Sequence, residues 1–253
     1  FAANLSMLFN EIPFLDRFAA AHDAGFEAVE FLFPYAHPVA EVAGRLQDNA
    51  LTQALFNAPP GDWEGGERGI AALPDRVSEF RDSIGLALEY ARALDCKTLH
   101  VMAGLVADAT NRDAMMACYI DNVRYAADQC IKEGITVALE PLNVYDVPGY
   151  LLSRLDQIAA AIAQVGRPNV GIQFDFYHVQ IMQGDLARHF EQYLDQTAHV
   201  QIAGVPERHE PNTGEVNYAY LFQLMDRLGY DGYVGCEYKP RGNTVDGLGW
   251  LFD

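Results

Sequence analysis

At 253 residues, half of them hydrophobic and with a formal net charge of −18, the chain is long enough to enclose one large core. Its acidity repels phosphate backbones and anionic lipid, so nucleic acid is excluded as an expected partner, and no apolar run is long enough to span a bilayer. Four cysteines without a CxxC pattern read as buried thiols in a reducing cytoplasm, and the opening FAANLSMLFN lacks the basic segment and long apolar stretch of a secretory signal.

In chain order, short apolar runs with the character of strands alternate with patterns at helical spacing. A first strand is expected at Ala2–Leu5, then a helix over Phe14–Ala24 that stops at Gly25, then a second strand at Ala28–Phe33. The third strand, Thr52–Asn57, leads into a long Gly/Pro-rich connection, Ala58–Pro74, and a helix over Val77–Leu94. The fourth, Thr98–Ala103, precedes a helix over Met115–Lys132 that ends at Gly134. After the fifth, Ile135–Pro141, comes a second long connection, Asn143–Tyr150, and a helix over Leu155–Val165. The sixth is Val170–Asp175 and the seventh His199–Ala203; a helix over Tyr218–Leu228, stopped by Gly229, separates the latter from the eighth, Tyr233–Tyr238. Strict alternation implies a parallel sheet, and eight units in this length close it into a (β/α)8 TIM barrel, one α/β domain over residues 1–253. No GxGxxG follows the first strand, which argues against a nucleotide cofactor.

Four of these strands end in oxygen-bearing side chains: Glu140, Asp175, Gln201 and Glu237. Side chains alternate along a strand, so each has a definable face. Ala138 and Thr136 share the face of Glu140, Gln173 and Gly171 that of Asp175, His199 that of Gln201, and Gly235 and Tyr233 that of Glu237. The opposite faces carry Leu139, Val137, Phe174, Ile172, Val200, Cys236 and Val234. The barrel interior is therefore expected to be small or polar, and its outer wall greasy. Three carboxylates gathered at one end of a barrel repel one another unless a divalent cation joins them. All-oxygen donors favour Mg²⁺, with Mn²⁺ the second choice, over Zn²⁺.

Around this ligand set lie groups suited to a substrate. His178, three residues after Asp175, is placed for a substrate hydroxyl, whereas His199 and His100 read as core histidines. Arg208, in the turn-rich segment Pro206–Glu215, and Lys239, just beyond Glu237, are cations suited to a substrate carboxylate. The connection Ala58–Pro74 is expected to lie over the site as a lid, with Trp63 as its apolar body.

The segments FAANLSMLF, GFEAVEFLFPY, APPGDWEGGERG, EPLNVYDVPG, QFDFYH, VQIAGVPERHEPNTGEVNY and GCEYKPRG…GLGW together resemble the hydroxypyruvate isomerase family of xylose-isomerase-like barrels, over nearly the whole chain. FAANLSM, EFLFPY, VQIAG and CEYKPRG…GLGW resemble its 2-oxo-tetronate isomerase branch, and EPLNVYDVPG its hydroxypyruvate isomerase branch. The resemblance implies that Glu140 and Glu237 donate and accept protons and that Glu140, Asp175, Gln201 and Glu237 bind the metal. The expected substrate is a small anionic hydroxy-oxo acid, either hydroxypyruvate or 2-oxo-tetronate, isomerised through an enediolate. Rival readings are a ketose 3-epimerase, an apurinic-site endonuclease and a non-catalytic sugar-acid-binding barrel. The endonuclease needs a His-rich zinc cluster and a basic surface, and the chain offers neither. Homo-oligomerisation is compatible with the sequence and is not specified by it.

Overall fold

A computed structural model describes residues 1–106 and 111–251. Eight parallel strands close in chain order: β1 (Ala2–Asn4), β2 (Ala28–Phe31), β3 (Thr52–Asn57), β4 (Thr98–His100), β5 (Thr136–Leu139), β6 (Val170–Asp175), β7 (Thr197–Ile202) and β8 (Val234–Cys236), the last pairing with β1. Around them run α1 (Arg17–Asp23), α2 (Val39–Asp48), α3 (Val77–Ala93), α4 (Arg112–Cys130), α5 (Leu155–Val165), α6 (Phe176–Met182), α7 (Leu186–Tyr193) and α8 (Tyr218–Leu228). This is the expected TIM barrel. No helix among the described residues is long and apolar enough to cross a membrane.

Several strands stop short of their expected ends because the rim residues leave the ladder for the connections above it. After β4, Val101 still donates to the Ala138 carbonyl at 3.0 Å, but the Ala103 carbonyl accepts from Ala72 of the β3–α3 connection at 2.8 Å. Helices α2, α6 and α7 have no counterpart among the helical patterns delineated in the sequence. In α6 the reason is burial: Phe176, Tyr177, His178 and Val179 are all enclosed, so no polar face alternates with an apolar one. Helix α2 sets Val39, Val42, Ala43 and Leu46 against the core at helical spacing, a short stripe not among those delineated.

The parity expectation holds. Phe31, Phe56 and Phe174 leave the strands outward and meet Phe18, Phe80 and Phe190 of the helices in the main core. Each such side chain contributes about 1.5–3 kcal/mol by leaving water, so stability resides in this outer shell. Inside the barrel Ala2, Ala28 and Ala54 form a small separate cluster. Above it lies a buried polar layer of Asn4, Glu30, Gln173, His199 and Gln201. Register aligns this layer, with Asn4 opposite Glu30, Asp175 opposite Gln201, and Gln201 opposite Gly235. A Cβ at position 235 would collide with the Glu30 carboxylate, so glycine there makes room for a charged side chain at the barrel axis.

The β3–α3 connection is folded back upon itself. The Glu67 carboxylate accepts from the Asp62 amide and pairs with Arg76, and Gly69 donates to the Pro60 carbonyl at 3.0 Å. At its root, Gly69 (φ +104°) lies so close to Met102 that a Cβ would strike the Met102 carbonyl. A Cβ on Gly104 (φ +119°) would in turn sit 2.8 Å from the Gly69 carbonyl oxygen. Two glycines are needed for these backbones to touch.

Candidate active site

Glu140 and Glu237 are the first residues beyond β5 and β8, Asp175 ends β6, and His178 lies in the first turn of α6. All four are buried, with Glu140 5% and Glu237 8% exposed. Parallel strands put these ends on one face of the barrel, where a cavity of about 340 Å³ opens between Glu140, Glu237, His178, Arg208, Trp63 and Lys239. Asp175 is the N-cap of α6: one oxygen accepts from Tyr177 N at 2.8 Å, which leaves Oδ2 turned toward the site.

His178 is held by the β5–α5 connection. Its Nδ1 accepts from the main-chain N–H of Asn143 at 3.1 Å and faces the Asn143 side-chain amide at 2.8 Å. A main-chain N–H can only donate, so Nδ1 is the acceptor. Burial, reinforced by the Arg208 charge, pushes the ring's pKa well below its usual value, and the neutral ring carries its proton on Nε2. That Nε2–H stands 3.6 Å from Asp175 Oδ2 and 3.8 Å from Glu140 Oε1, too far to bond either. It is a donor aimed into the space that they share.

The carboxylates are perturbed together. Burial raises the Glu140 pKa well above the usual range, and the neighbouring Glu237 and Asp175 charges add to the effect. Burial likewise pushes Glu237 up to about 8 and Asp175 up to about 6, in both cases against the opposing pull of Arg208. Arg208 Nη2 hydrogen-bonds Glu237 and lies 3.6 Å from Asp175, its Nη1 lies 3.6 Å from Asp146, and its plane rests 4.8 Å from the Tyr177 ring. Its backbone occupies the left-handed region at φ +59°, a conformation costing a non-glycine residue about 1–2 kcal/mol and concentrated at functional sites.

One ligand atom from each of Glu140, Asp175, His178 and Glu237 falls within 4.8 Å of the others, so this group can hold a metal ion. Three carboxylates face a single guanidinium there. Two of their oxygens, Glu140 Oε1 and Asp175 Oδ2, are buried without a hydrogen-bond partner. Orphaned anionic oxygens are costly in a protein interior, and a divalent cation suits them. Since His178 presents an N–H, the donors that fit the cation are the carboxylates.

Gln201, the amide that the sequence grouped with them, is turned into the layer beneath. Its nitrogen donates to Glu30 at 2.7 Å and its oxygen accepts from Gln173 at 2.6 Å. His199 is the expected core histidine, 2.6 Å from Glu30. His100, also read as core, instead lines the cavity, 3.3 Å from Asn57 and 3.7 Å from Glu140. Trp63 takes its expected place over the site, packed 4.9 Å from Phe33, and Lys239 lines the cavity mouth. Sequence reasoning did not single out Glu30, Asn4 or Arg68. A lone acid in the apolar run AVEFLF marked Glu30; Asn4 and Arg68 carried no comparable signal.

A parallel eight-stranded barrel with two buried glutamates of raised pKa at its C-terminal rim is the framework of an acid–base enzyme. The chain matches the xylose isomerase-like TIM barrel family over residues 18–253 and belongs to that family; it is an isomerase. It is 56% identical over 251 residues to a 2-oxo-tetronate isomerase of Cupriavidus necator, covering 99% of this chain and 96% of the relative. A hydroxypyruvate isomerase of Escherichia coli is 45% identical over 251 residues, covering 99% and 97% of the two chains. A crystal structure of an AP endonuclease, family 2, from Brucella melitensis superimposes with a TM-score of 0.97 at 52% identity, covering 99% and 97% of the two chains.

Proposed function

We propose that the protein interconverts 2-oxo-tetronate and 3-oxo-tetronate, with hydroxypyruvate and tartronate semialdehyde as the three-carbon version of the same chemistry. The observation that carries this reading is the pair Glu140 and Glu237, buried, close together and with raised pKa values, in a cavity rimmed by cations. Relatives of both names, aligned over almost the whole chain, support the substrate class, and the higher identity favours the four-carbon acid.

The reaction moves one hydrogen between adjacent carbons. One glutamate takes the proton from C3 beside the carbonyl, the C3 hydroxyl proton passes to the C2 oxygen across the resulting enediolate, and a glutamate returns a proton to C2, so that the carbonyl ends on C3. His178, with Nε2–H aimed at the shared space, donates to a substrate oxygen and steadies the charge that develops there. Glu140, Asp175 and Glu237 would hold Mg²⁺ or Mn²⁺. Gln201, whose oxygen and nitrogen are taken by Gln173 and Glu30, would have to turn out of the lower layer to join them. When bound, that cation supplies Lewis-acid polarisation of the substrate carbonyl. Arg208, Lys239 and Arg68 line the cavity and give an anionic substrate positive charge inside an acidic protein.

Incubation of the protein with 2-oxo-tetronate, hydroxypyruvate and a ketohexose, followed by chromatography of the products, tests the reading. Turnover is expected on the acids, fastest on 2-oxo-tetronate. Turnover confined to the ketohexose would replace it with the sugar-epimerase alternative. A duplex-cleaving activity is disfavoured by the net charge of −18.

A further inference from the structure

We infer that Arg68, on the β3–α3 connection, reads the substrate's carboxylate, so that the lid rather than the barrel rim selects acids over neutral ketoses. This rests on the hydroxy-oxo acid reading above. Three cations line the cavity, and they differ in what already engages them.

Arg208 is committed. Its guanidinium serves Glu237, Asp175 and Asp146 at once, donates through Nε to the Glu237 carbonyl at 3.3 Å, and is only 13% exposed. A substrate carboxylate placed on it would enter as a fourth anion among three. Lys239 is exposed and offers a point charge without a planar fork.

Arg68 is positioned and unspent. Its guanidinium stacks 3.9 Å above the Trp63 ring, which itself packs on Phe33. Nη1 donates to the Trp63 carbonyl at 3.2 Å and to the Glu67 carbonyl at 2.6 Å, and these two bonds fix the plane. The Nε and Nη2 hydrogens have no protein partner among the described residues, and no carboxylate there pairs with Arg68. The acid beside it in sequence, Glu67, is diverted to Arg76 and the Asp62 amide. The open Nε–Nη2 edge is the one that grips a carboxylate with two parallel hydrogen bonds. Because stacking and the Nη1 bonds already hold it, little freedom is lost on binding. Trp63 and Arg68 line the same cavity as Glu140, Glu237 and His178, so a small acid gripped there is confined with the proton-transferring groups.

Steady-state kinetics on 2-oxo-tetronate, with erythrulose as a competitive inhibitor, provide the test. Erythrulose keeps the four-carbon skeleton but has CH₂OH where the acid has its carboxylate. Arg68→Ala should raise KM for the acid about ten- to a hundredfold while kcat stays within about threefold and the erythrulose inhibition constant does not move. Arg68→Lys should recover part of the loss, and Lys239→Ala should cost less than Arg68→Ala. An unchanged KM in Arg68→Ala, a larger effect from Lys239→Ala, or equal weakening toward acid and ketose would overturn the inference. A wild-type protein inactive on both acids would overturn the reading beneath it, an outcome plainly different from an active enzyme indifferent to Arg68.

Discussion

Two polar layers share the barrel axis and differ in how their needs are met. In the lower one, Glu30 accepts from Asn4 at 2.9 Å and Gln201 at 2.7 Å and is joined to His199 at 2.6 Å, and Gln201 is closed off by Gln173. In the upper one, carboxylates crowd one another, two buried oxygens lack partners, and the pKa values of all three acids are raised. Among the described residues the lower layer leaves only a neutral amide oxygen, Gln173 Oε1, without a partner, whereas the upper leaves two carboxylate oxygens. A network whose charges are paired specifies structure, and one whose charges are not awaits something. Asn4 joins the two, donating to Glu30 and, at 3.3 Å, to Glu237. The lower layer thus supports the upper, and substitutions should separate them by which measurement they move.

The largest effect is expected from metal removal. Dialysis against EDTA should abolish turnover, and Mg²⁺ or Mn²⁺ should restore it. Full activity in a preparation shown by elemental analysis to be metal-free would sink the cation reading. Next, Glu140→Gln and Glu237→Gln should each cut kcat by roughly 10²–10⁴ with melting temperatures at or above wild type, since each relieves like-charge crowding. Metal content must be measured alongside, because both residues are candidate ligands. Near-normal turnover with metal still bound would remove that glutamate from the chemistry.

The lower layer should answer in the opposite way. Glu30→Ala strands three buried partners and is expected to cost about 3 kcal/mol or more in chemical denaturation, at about 1 kcal/mol or more for each stranded group. A melting curve like that of wild type would mean that the layer is not structural. The smallest effect concerns pH. Folding raises Asp175 to about 6 and Glu237 to about 8, so it favours their protonated forms. That contribution is full below the ordinary carboxylate range and is lost as pH rises through those values. Without metal, Tm should therefore fall from about pH 5 to about pH 8, less steeply in Glu237→Gln than in wild type. Parallel slopes would mean that Glu237 does not titrate in that window.

The difference between the layers also marks where sequence was legible. Strand identity, closure and the positions of Glu140, Asp175 and Glu237 follow from period and parity, because a residue at a strand end can go only to one rim. What Gln201 does with its amide is decided by Glu30 on β2 and Gln173 on β6, neighbours made only by the closed barrel. The same holds for Arg208: sequence places it near the site, but only the fold shows its charge divided among Glu237, Asp175 and Asp146. Arg68 sits in a connection without periodicity, and its orientation comes from two carbonyls and a ring.

The contact between Gly69 and Gly104 bears on traffic through the site. With these backbones touching, any side chain larger than hydrogen at either position would push away the connection that carries Trp63 and Arg68. A local displacement around Trp63 would leave this contact intact, whereas a swing of the whole segment would break it.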